Sequence, residues 1–361
     1  MTLTHGDDYP IHQTPEPIAF SGTDRNFYDR YFFNGYAPDG SGFFAAAFGV
    51  YPHLDVVDAH FSFIRGGTQH CLHASRRLGM ERMDLSCGPI SIHVEEPLKR
   101  LRVRIEETDG IAGEFTFGAR AFPIAEPRFI HRIGPRAFMD YTRMTQNGRY
   151  EGWISCDSER HEIAQGTLGT RDRSWGVRPV GARDAQPMPG HELPQFFWQW
   201  TPINLANGSL FFHLNADAQG EAWNTRAAFV PDGGAESDIA EGHGTITTRT
   251  EEGSRWPAGA VLDLDVPGAP AQVSLEAMQR FQMKGLGYTH PVWGHGIWHG
   301  SDRHEREDFD LAQLDPLQPD NRHVQILCKV DGDAQGQKSD GWGVFEQLAI
   351  GPYAPLGFTG I

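Results

Sequence analysis

Apolar and polar residues alternate along much of this chain. In "LRVRIEE", Leu101, Val103 and Ile105 take turns with Arg102, Arg104 and Glu106. A period of two sends one set of side chains to a core and the other to solvent, as in a half-buried strand. "GPISIHVEEP", "GEFTFGARAF" and part of "LDVVDAHFSFIRGG" follow the same rule at short spacing. "NFYDRYFFNGYAPDGSGFFAAAFGVYP" reads as two apolar strands about a turn at Asp39-Gly40-Ser41-Gly42, and Asn-Gly turns are expected at Asn147-Gly148 and Asn207-Gly208. "VSLEAMQRFQM" reads as a strand, and "SDRHEREDFDLAQLDPLQPDNR" as a long loop. No segment sustains a period of 3.6. Strand density is similar in the two halves, which predicts an all-β chain of two antiparallel barrels or sandwiches.

The breaker-rich run "ARDAQPMPGHELP" is the expected boundary, dividing the chain into residues 1–185 and 186–361. Residues 1–25 are polar and read as an irregular arm. The content of 42 Gly, 24 Pro and 11% aromatic residues in 361 suits short strands and tight turns. Acidic residues outnumber basic ones 47 to 31, so nucleic acid and anionic bilayers, which reward clustered Lys and Arg, are not expected partners. No apolar run reaches the roughly 18 residues of a spanning helix. The first residues lack the basic and apolar regions of a secretory signal, and Cys71, Cys87, Cys156 and Cys328 form no CxxC pair. A reducing cytoplasm is the expected location.

Candidate chemistry concentrates in "GTLGTRDRSWGVRP". On a strand, Asp172 shares a face with Thr170 and Ser174, while Arg171, Arg173 and Trp175 share the other. The pattern fits either a carboxylate held in a pocket or a structural ion-pair knot. Glu346, in "GWGVFEQLAIGP", shares a face with Val344 and Leu348, where a carboxylate needs a partner or a cavity. Gln199, in "FFWQWTP", is a polar group among aromatics, which suits an apolar ligand cavity or a barrel interior. In "YTHPVWGHGIWHGSDRHERED", His295 and His299 are expected on one strand face, near His290 and His304. Flanking glycines and the lack of HExxH make them pocket lining rather than metal ligands. "HCLH", from His70 to His73, is a weaker metal signal still. No phosphate loop, GxSxG or dinucleotide fingerprint appears, so neither a metal nor another cofactor is expected.

At "GTLGTRDRSWGVRP" the chain resembles the carotenoid 1,2-hydratase (hydroxyneurosporene synthase) and AttH-like superfamily, and "GWGVFEQLAIGP" looks like its terminal strand. The superfamily segment is Gly-x-Gly-x-Arg/Tyr-Asp-His-x-Trp-Gly. Asp172, Trp175 and Gly176 match it, and Arg173 stands where histidine is usual. The resemblance implies two lipocalin-like barrels in tandem and a hydrophobic small-molecule substrate such as a terpenoid or polyene. It further implies acid-assisted hydration, isomerisation or cyclisation without a cofactor. Asp172 matches the family's acid, and Glu346 is a second candidate. Trp175, Trp198, Trp200 and Trp298 would supply π-faces to steady a cation. Arg171, Arg173, Gln199, His295 and His299 would line the site. A pericyclase that folds a polyene, or a carrier of an apolar ligand, are the competing expectations.

Overall fold

The computed structural model describes residues 3–12, 24–183, 195–334 and 337–360. It is nearly all β, with no α-helix among the described residues. The chain forms two compact units. The first is Met1–Ala119, Pro123–Ala182 and Gly285–Phe309, and the second is Arg120–Phe122, Arg183–Lys284 and Asp310–Ile361. The expected boundary at 185/186 lies outside the described residues.

The first unit is one antiparallel sheet. Its order begins at Arg303–Asp310 and runs through β4 (Thr68–Arg77), β3 (Val56–Arg65), β2 (Phe43–Tyr51) and β1 (Phe27–Tyr36). It continues through Leu168–Val177, Arg136–Cys156, Ile111–Ala119, Arg100–Thr108 and Ile90–Glu96. One face curls round an apolar core that includes Tyr31, Phe33, Phe44, Phe48, Phe61, Leu72, Leu101, Val103, Ile105, Phe115 and Phe117. Alternation fixes this, since a one-residue slip would exchange that core for the opposite face.

The second unit closes on itself. Its strands run in order from Gln272–Gln282 through Pro257–Asp265, Ala240–Thr250, Ala222–Pro231, Gly208–Ala216, Phe196–Leu205 and Gly341–Ile350 to Val324–Ala334, which pairs back with Gln272–Gln282. Ile203, Leu205, Leu210, Phe212, Leu262, Ile326 and Phe345 fill its interior. Closure leaves no free edge in the ring.

Three local expectations are corrected. Asn147-Gly148 is no turn but lies inside the strand Arg136–Cys156. A Cβ at Gly148 would sit 2.1 Å from the Phe117 ring, so this glycine makes room for an aromatic rather than a reversal. Arg303–Asp310, expected as loop, is a strand added to β4. The stretch holding His295 and His299 is irregular rather than a strand.

Candidate functional site

Arg171 and Arg173 face the core side of the first sheet, where the N-terminal segment meets them. Arg171 pairs with Asp8 through both guanidinium arms, and its Nε donates to Gln146 Oε1 at 2.7 Å. Arg173 pairs with Asp29 at 2.6 Å, donates to the carbonyls of Asp7 and Tyr9, and stacks on Tyr31. Tyr31 donates to the Asp8 carbonyl at 2.5 Å. His12 Nδ1 lies 2.7 Å from Asp29, and the His12 ring stacks on Trp175 with centroids 3.7 Å apart. The two arginines therefore pair with Asp8 and Asp29 rather than with Asp172, and Trp175 seats the arm.

Asp172 points to the other face, as the alternation predicts. It is buried and lies within electrostatic reach of Arg143 and Tyr28. That face is polar across the sheet. Register places Asp172, Phe32, Ala47, His60 and His73 in one cross-strand row. The next row holds Ser174, Arg30, Gly49, Asp58 and Ser75.

At the β3–β4 end of these rows the polar side chains are linked. His60 and His73 are wholly buried, and their Nδ1 atoms lie 2.8 Å apart. The Nε2 of His60 lies 3.7 Å from Asp58 Oδ1, and the Nε2 of His73 lies 3.6 Å from Glu307 Oε2. Each is close to a carboxylate but beyond hydrogen-bond distance, so neither buried Nε2 has a hydrogen-bond partner among the described residues. Asp58 accepts from the Gly296 amide at 2.6 Å and from Tyr51 Oη at 3.1 Å. His290 Nε2 lies 2.8 Å from the same Glu307 oxygen. Asp58 is buried, whereas the Glu307 side chain is 37% exposed, so the chain of groups runs from solvent inward.

The irregular stretch 285–300 packs on this face. Gly287 has a φ of +84°, and a Cβ there would lie 2.7 Å from His60 Nε2. Trp293 stacks against His73, and the His299 ring lies tilted against Trp293.

Burial sets the protonation states. It pushes His60 down and outweighs the neighbouring Asp58. It pushes His73 down to about 3 despite Glu307. Burial also opposes ionisation of Glu307 and Asp58, but Glu307, facing the His290 and His73 rings, is still held down to about 2, and Asp58, facing His60, Arg30 and the Gly296 amide, is lowered. Near neutral pH, two neutral imidazoles therefore sit between two carboxylates.

His73, His290 and Glu307 place three ligand-type atoms within 4.8 Å of one another. The hydrogen bonds argue against a metal there. His290 Nδ1 accepts from the amides of Val292, at 3.0 Å, and Trp293, at 2.7 Å. That acceptor role puts the ring proton on Nε2, where it is donated to Glu307. A ligating histidine does the reverse, binding through a bare nitrogen and donating from the other.

The remaining predicted residues divide between the units. In the second unit, Trp198 donates to Glu346 Oε1 at 3.0 Å, Gln325 donates to Oε2 at 2.7 Å, and His323 Nε2 lies 2.7 Å from Oε1. Trp200 is buried and opposite Glu346 in register. Gln199 faces inward instead, donating to Thr248 and Gln347 at 2.8 Å each. Trp198 and Gln199 thus line opposite faces. Trp298 belongs to the first unit and is 46% exposed. His295 contacts Arg30, and its Nε2 lies 2.9 Å from the Leu286 carbonyl. A separate cavity of about 270 Å³ in the first unit is lined by Phe43, Phe44, Phe63, Ile64, Ile154 and Ile163, among others.

Sequence reasoning passed over Asp58, His60, Glu307 and Arg30. The available signal was "DAHFS", where Asp58, His60 and Ser62 fall on one strand face opposite apolar residues.

The family model for DUF8625, a family of unknown function, matches residues 3–359. The chain belongs to that family. A search of curated proteins finds no sequence match. Among solved structures, kievitone hydratase from Nectria haematococca is similar with a TM-score of 0.55 and 12% identity, over 94% of each chain. A putative AttH from Nitrosomonas europaea gives 0.52 and 15%, over 94% of this chain and 98% of its own. CghA gives 0.53 and 12%, over 95% of each chain, and is also known with Sch210972. These likenesses establish the AttH-like double-lipocalin fold.

Proposed function

We propose that this protein is an acid–base enzyme that adds water to, or closes a ring across, an unsaturated small organic substrate, with His60 and His73 moving the proton. The observation that carries this is the 2.8 Å contact between two buried Nδ1 atoms, flanked by Asp58 and Glu307. A hydrogen bond between two neutral imidazoles needs one Nδ1–H and one bare Nδ1. One of the two Nε2 atoms therefore carries a proton and the other does not.

A proton can then cross without charging either ring. When the two Nε2 contacts shorten to hydrogen-bond distance, His60 passes its Nε2 proton to Asp58, which hands it on to the substrate. At the same time His60 Nδ1 takes the proton of His73 Nδ1, and His73 Nε2 takes one delivered from solvent past Glu307. Both rings end as the opposite neutral tautomer, and the reverse passage resets them. This matters because a buried imidazolium is costly to form. The fold supports the reading, since it is shared with a hydratase. Asp172, in the same row as His60 but roughly 14 Å away at about 4.8 Å per strand, is proposed as a second acid on this face, and a hydrophobic or polyene substrate remains part of the proposal.

The test is incubation in D2O with a panel of conjugated alkenes, acids and ketones, read by NMR for water addition, cyclisation or deuterium uptake. Acid–base catalysis typically supplies roughly 10²–10⁴-fold. His73→Gln should lose about that factor, and unchanged turnover in this variant would remove the relay from the mechanism.

A further inference from the structure

Arg30 and Arg178 are two guanidiniums on the relay's face of the first unit, and both are short of negative charge. Arg30 is 1% exposed, and its Nε has no hydrogen-bond partner. Its remaining donors go to neutral groups. Nη2 donates to the Leu286 carbonyl at 3.1 Å, and Nη1 contacts the His295 ring. Arg178 Nη2 lies 3.1 Å from His295 Nδ1. Among the described residues, no carboxylate lies within 4.0 Å of either guanidinium.

The rings around them do not supply the missing charge. Arg30 stacks over Tyr288 at 4.4 Å, and Arg178 over Tyr28 at 4.3 Å and Tyr288 at 5.6 Å. Burial pushes the phenols of Tyr28 and Tyr51 above their ordinary range, so they are neutral at physiological pH. His295 is neutral too, pushed well below its usual range by burial and by these two arginines. Asp58, the carboxylate in Arg30's own row, feels the charge of Arg30 but makes its hydrogen bonds with Gly296 and Tyr51 and no ion pair with Arg30. Buried charge is expensive unless it is paired, so an unpaired guanidinium couple in a chain of net charge −16 calls for an anion from outside.

We infer that Arg30 and Arg178 bind the carboxylate of a small conjugated or aromatic substrate, beside the inner end of the proton relay. The stacking holds both guanidiniums by their faces, and the buried Arg30 Nε, which has no hydrogen-bond partner, is the donor left to take an oxyanion in the plane of the guanidinium. Tyr288 offers flat apolar surface for the rest of the molecule. Tyr288 and Arg178 are only half-buried, which gives a way in from solvent. Asp58 lies in the same row as Arg30 across Gly49, so a substrate anchored here would present its unsaturated carbons to the relay. The inference names the substrate class for the acid–base reading and rests on that reading for its functional sense, but binding is measured without turnover.

The test uses the full chain with cinnamate, cinnamamide and inorganic phosphate as probes, followed by calorimetry and by thermal shift. Cinnamate should bind and raise the melting temperature in a concentration-dependent way, while the isosteric amide and phosphate should not. Arg178→Gln should weaken cinnamate at least tenfold, and Arg178→Lys should restore only part of the loss. Because Arg178 is half-buried and carries unrelieved charge, Arg178→Gln should fold with an unchanged or higher melting temperature, so weakened binding cannot be ascribed to misfolding. Equal binding of acid and amide, protection by phosphate as strong as by cinnamate, or undiminished cinnamate binding in Arg178→Gln would each overturn the anion site. Cinnamate binding retained alongside full turnover in His73→Gln would instead fell the relay and leave the anion site standing.

Discussion

His60 and His73 meet Nδ1 to Nδ1 across neighbouring strands at 2.8 Å, with Asp58 near one outer nitrogen and Glu307 near the other. A pair so placed holds a single proton between the rings. ¹⁵N NMR of the two side chains should show one Nδ1 protonated and one bare near neutral pH, with no imidazolium signature for His73 between pH 8 and 5. Titration of either ring near pH 6.5 would contradict the buried neutral pair.

Stability should carry the same imprint. Both folded-state pKa values lie below the unfolded value of about 6.5, His73 at about 3. Below pH 6.5 the unfolded chain takes up protons that the folded chain refuses. Their contribution is thus complete above pH 6.5 and is lost as pH falls below it, for His73 down to about 3. Each such histidine adds a slope of about 1.4 kcal/mol per pH unit in that window. Urea midpoints measured from pH 7 to 4.5 should fall steeply, and the His60→Phe, His73→Phe double variant should show a shallower fall.

The Arg171–Asp8 pair is buried on both sides. Removing one partner of such a pair typically costs about 3–5 kcal/mol, because the other charge stays behind. Arg171→Ala and Asp8→Ala should each lose that much in denaturant unfolding. The double variant should lose less than the sum. Strict additivity would mean that the pair is not coupled.

Glu346 receives Trp198 and Gln325 as donors and has His323 against it. Glu346→Gln sets an amide N–H₂ against groups that themselves donate, an error worth about 1–3 kcal/mol per unsatisfied group. The expected outcome is a lower melting temperature. Asp172→Asn, by contrast, should keep the fold and lower turnover by roughly 10²–10⁴-fold if Asp172 is an acid. Full activity in that variant would remove it from the chemistry.

Strand positions were legible because alternation is a local property. Phe196–Leu205 and Gly208–Ala216 form the expected hairpin, turning at Ala206-Asn207 with Gly208 already paired to Leu205. Asn147-Gly148 misleads because glycine serves two ends, reversal and close packing, and only the neighbour Phe117 decides between them. The motif around Asp172 was visible as a motif, but its division of labour was not. Arg171 and Arg173 find their partners more than 140 residues earlier, at Asp8 and Asp29. The relay is hidden for a related reason. His60 and His73 each look like an isolated histidine on a strand, and only the β3–β4 register sets them opposite each other.

The first unit draws its last strand, Arg303–Asp310, from far along the chain, and that strand pairs with β4, which ends at Arg77. During synthesis the edge of β4 must wait while more than 220 further residues are made, which at about 5–20 residues per second is roughly 10–45 s. Glu307 and His290 arrive in the same late segment, so the relay forms only when the edge is capped. Nascent chains therefore pass through a period with an open hydrogen-bonding edge, the state most prone to pairing with a second chain. A fragment ending at residue 182 would remain in that state, and covering the edge and completing the chemistry become the same event in the life of the protein.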